Sequence, residues 1–107
     1  MQAHDSAIVG LLRLALARSL RRMNTVTIYS TTWCPYCVAA KRFLDSKKVP
    51  WTEIDLTGDD DARAALVEKS GRRTVPQIYV GDVHVGGYDD LRALDNRGGL
   101  MPLVAPG

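Results

Sequence analysis

The sequence predicts a single α/β domain in which a four-stranded mixed sheet carries helices on both faces. Three observations lead there. Apolar spacing switches between the two-residue repeat of strands and the 3.6-residue repeat of helices, in the order strand, helix, strand, helix, strand, strand, helix. The first strand–helix–strand unit calls for a right-handed parallel crossover, whereas a two-residue turn at Gly81-Asp82 calls for an antiparallel hairpin, so the sheet must be mixed. The third is size: 107 residues, 46% hydrophobic and 24% charged, suit one core without metal or disulfide staples.

Taken in order, residues 1–22 read as an N-terminal extension and residues 23–107 as the domain. In the extension, Ile8, Leu12, Ala15 and Leu16 keep helical spacing, but Leu11 and Leu14 fall on the arginine side, so the helix is weakly amphipathic. Arg13 and Arg18 interrupt its apolar stretch, which excludes a secretory signal. A transit peptide or a membrane-surface helix stays open. The plainer expectation is that translation starts at Met23, because a strand follows at once and the domain loses nothing.

That strand covers residues 25–29, rich in β-branched and aromatic side chains. A polar loop leads to Trp33, and a helix opens at about Pro35, where proline suits a first turn. Ala39, Ala40, Phe43 and Leu44 mark its apolar stripe; Val49-Pro50 stops it. Alternation over residues 51–56 predicts the second strand. Asp59, Asp60 and Asp61 favour the N-terminus of the next helix, Ala62, Ala65 and Leu66 form its buried side, and Gly71 caps it. The hairpin joins residues 77–80 to 83–85. Gly86-Gly87 then leads into a last helix, with Asp89 and Asp90 at its start, Leu91 and Leu94 packed inward, and Gly98-Gly99 closing it.

Charge and composition exclude several functions. Residues 1–22 hold four arginines (Arg13, Arg18, Arg21, Arg22) against Asp5, whereas residues 23–107 hold ten basic and eleven acidic side chains, so the net charge of +2 comes from the extension. A domain without a basic surplus is not expected to bind nucleic acid. No window offers the ~20 apolar residues of a membrane span, so stable membrane insertion is not expected.

The chemistry lies in Cys34-Pro35-Tyr36-Cys37, where a strand and loop hand over to a helix. Two thiols at this spacing close a small disulfide ring. Cys34 stands at the helix N-terminus, where free N–H groups and the helix dipole favour a thiolate nucleophile; Cys37, one turn in, can resolve a mixed disulfide. Half a zinc site or two core cysteines are the competing readings, but only His4 and His84 remain as further zinc ligands of the usual kind, and both are poorly spaced; no metal is expected. A c-type haem needs histidine where Val38 stands. Thr74-Val75-Pro76 opens the third strand, and a cis bond before Pro76 would turn the backbone N–H and C=O of Val75 outward to pair with an extended peptide-like thiol.

Together, Cys34-Pro35-Tyr36-Cys37, Thr74-Val75-Pro76-Gln77 and Gly86-Gly87-Tyr88-Asp89-Asp90 resemble a dithiol glutaredoxin of the bacterial class I type, over roughly residues 24–104. The resemblance implies a thioredoxin fold and a glutathione-dependent thiol–disulfide oxidoreductase acting on protein disulfides and glutathionylated proteins. It further implies a monomeric, cytoplasmic enzyme, with ribonucleotide reductase among its candidate partners and glutathione as reducing co-substrate. In this sequence Cys34 and Cys37 would be catalytic. Tyr36 would line the glutathione groove, with Val75 pairing its backbone with the cysteinyl part, Thr74 and Pro76 beside it in the binding site, and Asp89 and Asp90 holding the γ-glutamyl end.

The chain departs from that pattern at two positions. Many members carry lysine three residues before the first cysteine, where Thr31 stands; Arg72 or Arg73 is the candidate replacement for that charge, the alternative being two solvated arginines after a helix. Trp33 before Cys34 is more usual in thioredoxins and is expected to shield the site. Two other functions therefore stand beside the first. One is a redoxin reduced directly by a flavoprotein reductase or by another low-molecular-weight thiol. The other is a carrier of a glutathione-ligated 2Fe-2S cluster, against which Pro35 argues, since members with proline there generally do not assemble it.

Overall fold

A computed structural model describes residues 23–106. The extension, residues 1–22, lies outside the described residues, and with it His4. The sheet is formed by β1 (Val26–Ser30), β2 (Trp51–Asp55), β3 (Gln77–Val80) and β4 (Val83–Gly86), in the order β2-β1-β3-β4. β1 pairs parallel with β2, and antiparallel pairing joins β1 to β3 and β3 to β4. The mixed sheet expected from the sequence is present.

Strand geometry sends alternate side chains to opposite faces. Val26 and Ile28 of β1 and Ile78 and Val80 of β3 point to one face. There they meet Ala40 and Leu44 of α1 (Pro35–Ser46) and Leu91 of α3 (Tyr88–Asn96). The other face carries Tyr79, packed with Leu56 and with Leu66 of α2 (Asp60–Ser70). β3 is buried along its whole length because both faces are covered, whereas β2 is an edge strand and mostly exposed. Burying a leucine such as Leu44 contributes about 2 kcal/mol, so the larger face dominates the core.

The helix signals act as their chemistry requires. Asp59 caps α2 by accepting from the Ala62 N–H at 3.0 Å, and Gly71, at φ 72°, closes it by donating to the Val67 carbonyl. Gly81, at φ 57°, supplies the left-handed residue of the hairpin turn. Two expectations need correction. Ala65 is exposed: only Leu66 of α2 is fully buried, with Ala62 half-buried, because the helix lies over a narrow strip around Tyr79. Gly98-Gly99 does end α3, but a short helix follows, α4 (Leu100–Val104). Leu100 and Val104 enter the main core, and Asn24 ties α4 to the start of β1 through its N–H to the Val104 carbonyl and its side-chain amide to the Leu103 carbonyl, both 2.8 Å. Five residues that include Pro102 give no readable period.

Candidate active site

Three segments converge at one end of the sheet. The first is the loop after β1. Ser30, buried at the strand's end, donates to Glu53 of β2 at 2.6 Å, and Glu53 also pairs with Lys41 of α1. The Lys41 contact, then the Ser30 hydroxyl, hold the Glu53 carboxyl below its ordinary pKa. Thr32 is held by its N–H to Thr57 Oγ1 at 2.7 Å. From this tied base the chain reaches Cys34, the N-cap of α1.

Cys34 and Cys37 are joined as a disulfide, with their Cα atoms 5.2 Å apart. Cys34 Sγ accepts from the Cys37 N–H at 3.1 Å, so a backbone donor at the helix start already faces the sulfur. The positive end of the helix dipole points to the same side. Cys34 is half-exposed and Cys37 buried, an asymmetry that leaves one sulfur outer and the other inner. Trp33 does not shield the site as expected. It is 96% exposed at φ 64°, with its ring turned out into solvent.

The second segment is the Thr74–Pro76 loop. The Val75-Pro76 bond is cis. The Val75 carbonyl lies 3.7 Å from Cys34 Sγ, and among the described residues the Val75 N–H has no hydrogen-bond partner. A backbone donor beside a reactive sulfur can pair with an extended, peptide-like thiol.

The third segment is the start of α3. Its first-turn N–H groups have no partner within the helix, and its dipole is positive there, so this end suits a carboxylate. Asp90 caps it from inside: its Oδ2 accepts from the Gly87 N–H at 2.9 Å and from Arg72 Nη1 at 2.6 Å. The Gly87 bond first, then Arg72, lower the Asp90 pKa. The Asp89 carboxylate has no hydrogen bond or ion pair among the described residues and is exposed.

These segments enclose one groove of about 270 Å³, lined by Tyr36, Arg72, Thr74, Val75, Pro76, Gly87, Tyr88, Asp89 and Asp90. Every residue that the sequence suggested for a thiol-binding groove is in it, except that Arg72 and Arg73 separate. Arg72 lines the groove, ion-paired to Asp90; Arg73 does not line it, and its carbonyl accepts from Arg63 at 3.4 Å. Tyr88 was missed. It faces Tyr36 across the groove with ring centroids 6.5 Å apart, and its place inside the Gly-Gly-Tyr-Asp-Asp run was the available signal. Among the described residues no three His, Cys, Asp or Glu side chains are grouped to hold a metal ion, and His84 is bonded to Gln77.

A disulfide at a helix N-terminus facing a cis-proline loop, on this mixed sheet, defines a thiol–disulfide oxidoreductase of the thioredoxin-like α/β fold. Comparison with known proteins narrows the class. The glutaredoxin family model matches residues 26–85. A glutaredoxin of Pseudomonas aeruginosa is 49% identical over 83 residues, covering 78% of this chain and 99% of that protein. Glutaredoxin 3 of Escherichia coli K12 is also 49% identical, over 82 residues, covering 77% and 99%. Among solved structures, a buckwheat glutaredoxin–glutathione complex superposes with TM-score 0.72 at 31% identity, covering 87% of this chain and 89% of that one. The chain belongs to the glutaredoxin family.

Proposed function

We propose that the protein is a glutathione-dependent oxidoreductase that reduces glutathionylated proteins and protein disulfides. The observation that carries this is the continuity of the groove. It runs from Tyr36, beside the disulfide, past the Val75 N–H, which has no partner among the described residues, to the α3 N-terminus and Asp89. A γ-glutamyl tripeptide has the matching order of groups: a thiol, a backbone to pair in extended form, and a terminus bearing both a carboxylate and an ammonium. The helix start takes the carboxylate and Asp89 the ammonium, while Asp90, already bonded to Gly87 and Arg72, shapes the wall. Thr74 and Pro76 hold Val75 in place, and Tyr36 covers the thiol. Binding of glutathione by the buckwheat neighbour supports the same use here.

The reaction follows from the two sulfurs. The Cys34 thiolate attacks the glutathione sulfur of a mixed disulfide; the protein thiolate leaves and takes a proton, and glutathione stays on Cys34. A second glutathione thiolate attacks that bond, releasing glutathione disulfide and restoring Cys34. With a protein disulfide, Cys34 instead traps one substrate sulfur. Cys37 then attacks Cys34, frees the substrate dithiol, and forms the Cys34–Cys37 disulfide; two glutathiones return both electrons. A dithiol acting as reductant suits a reducing compartment such as the cytoplasm, and one such domain can act as a monomer. Ribonucleotide reductase is a candidate disulfide substrate of this type.

The deciding experiment is turnover of a glutathionylated peptide with glutathione, NADPH and glutathione reductase. Cys34→Ser should abolish it. Cys37→Ser should retain it and lose reduction of a disulfide-bonded protein. No activity unless a flavoprotein reductase replaces glutathione would overturn the proposal, as would equal loss in both variants.

A further inference from the structure

A line of hydrogen bonds runs behind the groove, from β4 to the loop that carries Val75. His84 Nε2 lies 2.7 Å from Gln77 Oε1, and Gln77 Nε2 donates to the Thr74 carbonyl at 2.9 Å and to Thr74 Oγ1 at 3.3 Å. The direction of this line is set by its far end. The Thr74 carbonyl can only accept, so the Gln77 NH₂ faces it, Oε1 faces His84, and His84 must carry hydrogen on Nε2. Gln77 is completely buried, so an Oε1 left without a partner would be costly. The imidazole is stacked on Tyr79, ring centroids 4.8 Å apart, which holds Nε2 toward Gln77.

The Thr74 carbonyl and the Val75 N–H belong to one peptide unit. In a trans peptide they point in opposite directions. Among the described residues the only cis bond is Val75-Pro76, so the Thr74–Val75 unit is trans. Gripping the carbonyl from the interior therefore aims the N–H outward, and a carbonyl that accepts a hydrogen bond makes its own N–H a better donor. We propose that His84 is a positioning residue for substrate binding, acting through Gln77 to hold the Thr74–Val75 peptide with its N–H directed into the groove. This rests on the groove being the site of a peptide-like thiol. It assigns a role to a histidine that touches neither cysteine, and the contact persists when the imidazole is protonated, because Nε2 keeps its hydrogen.

The test uses His84→Phe, which keeps a ring on Tyr79 and removes only the donor, and Gln77→Met, which cuts the same line independently. In both, KM for a glutathionylated peptide should rise about fivefold while kcat stays within about twofold, the loss of one hydrogen bond used only in binding. Alkylation of reduced Cys34 by iodoacetamide should keep its wild-type rate. In ligand-free protein, the Val75 amide resonance should shift and broaden, with β1 amides unchanged. A Val75 resonance identical to wild type in both variants, or a fall in kcat at constant KM, overturns the proposal. Absence of turnover in wild type would instead count against the glutathione reading, and the Val75 amide would still decide this one.

Discussion

Replacing Asp90 separates the cap of α3 from the charge that binds it to Arg72. Asp90 Oδ2 serves two donors, the Gly87 N–H at 2.9 Å and Arg72 Nη1 at 2.6 Å. A capping bond to a helix start is worth ~1 kcal/mol. The Arg72 pair, with side chains 46% and 42% exposed, is screened by solvent and worth only ~0.5 kcal/mol. Asp90→Asn keeps an oxygen for Gly87 and loses the charge, so it should cost about 0.5 kcal/mol. Asp90→Ala loses both and should cost about 1.5 kcal/mol, or roughly 6–12 °C in Tm for a domain of this size.

The pH dependence has a definite sign. Because the folded pKa of Asp90 lies below its ordinary value, the charge stabilises the protein above the unfolded carboxyl pKa of ~3.9 and is lost as pH falls through the folded one. The gap between wild type and Asp90→Asn should therefore be present at pH 7 and shrink as pH drops below about 4. Thermal unfolding of the three proteins at pH 7 and pH 3 measures this. Equal melting of the Asn and Ala variants at pH 7, or a wild-type-to-Asn gap as large at pH 3 as at pH 7, would refute the reasoning.

Arg72→Ala should raise the apparent KM for glutathione several-fold, and Arg73→Ala should leave it near wild type, because only Arg72 lines the groove. Adding Thr31→Lys to Arg72→Ala should recover part of the loss, and steady-state kinetics on the four proteins decides it. We also propose that residues 1–22 are dispensable, since every site residue lies after Met23. Protein begun at Met23 should match the full chain in turnover and Tm, and a large drop in either would show that the extension docks on the domain.

Much was legible in the sequence because the signals are local. A β-branched run must extend, a proline at a first helical turn must open a helix, and two cysteines three apart on that turn must meet. The element order through α3, the cysteine pair and the three motifs therefore stood in the linear text. Other features depend on partners brought from far along the chain. That Arg72 rather than Arg73 enters the groove depends on Asp90, eighteen residues away, holding its guanidinium. Ala65 is exposed because α2 covers only a narrow strip of the sheet, and α4 exists because Leu100 and Val104 find the core and Asn24 donates to its last two carbonyls. His84 carried no motif at all. Its meaning came from β3–β4 pairing, which sets it opposite Tyr79 and within reach of Gln77. Periodicity and turn chemistry act over a few residues and can be read along the chain; a hydrogen bond between distant side chains exists only once the backbone has fixed where both of them stand.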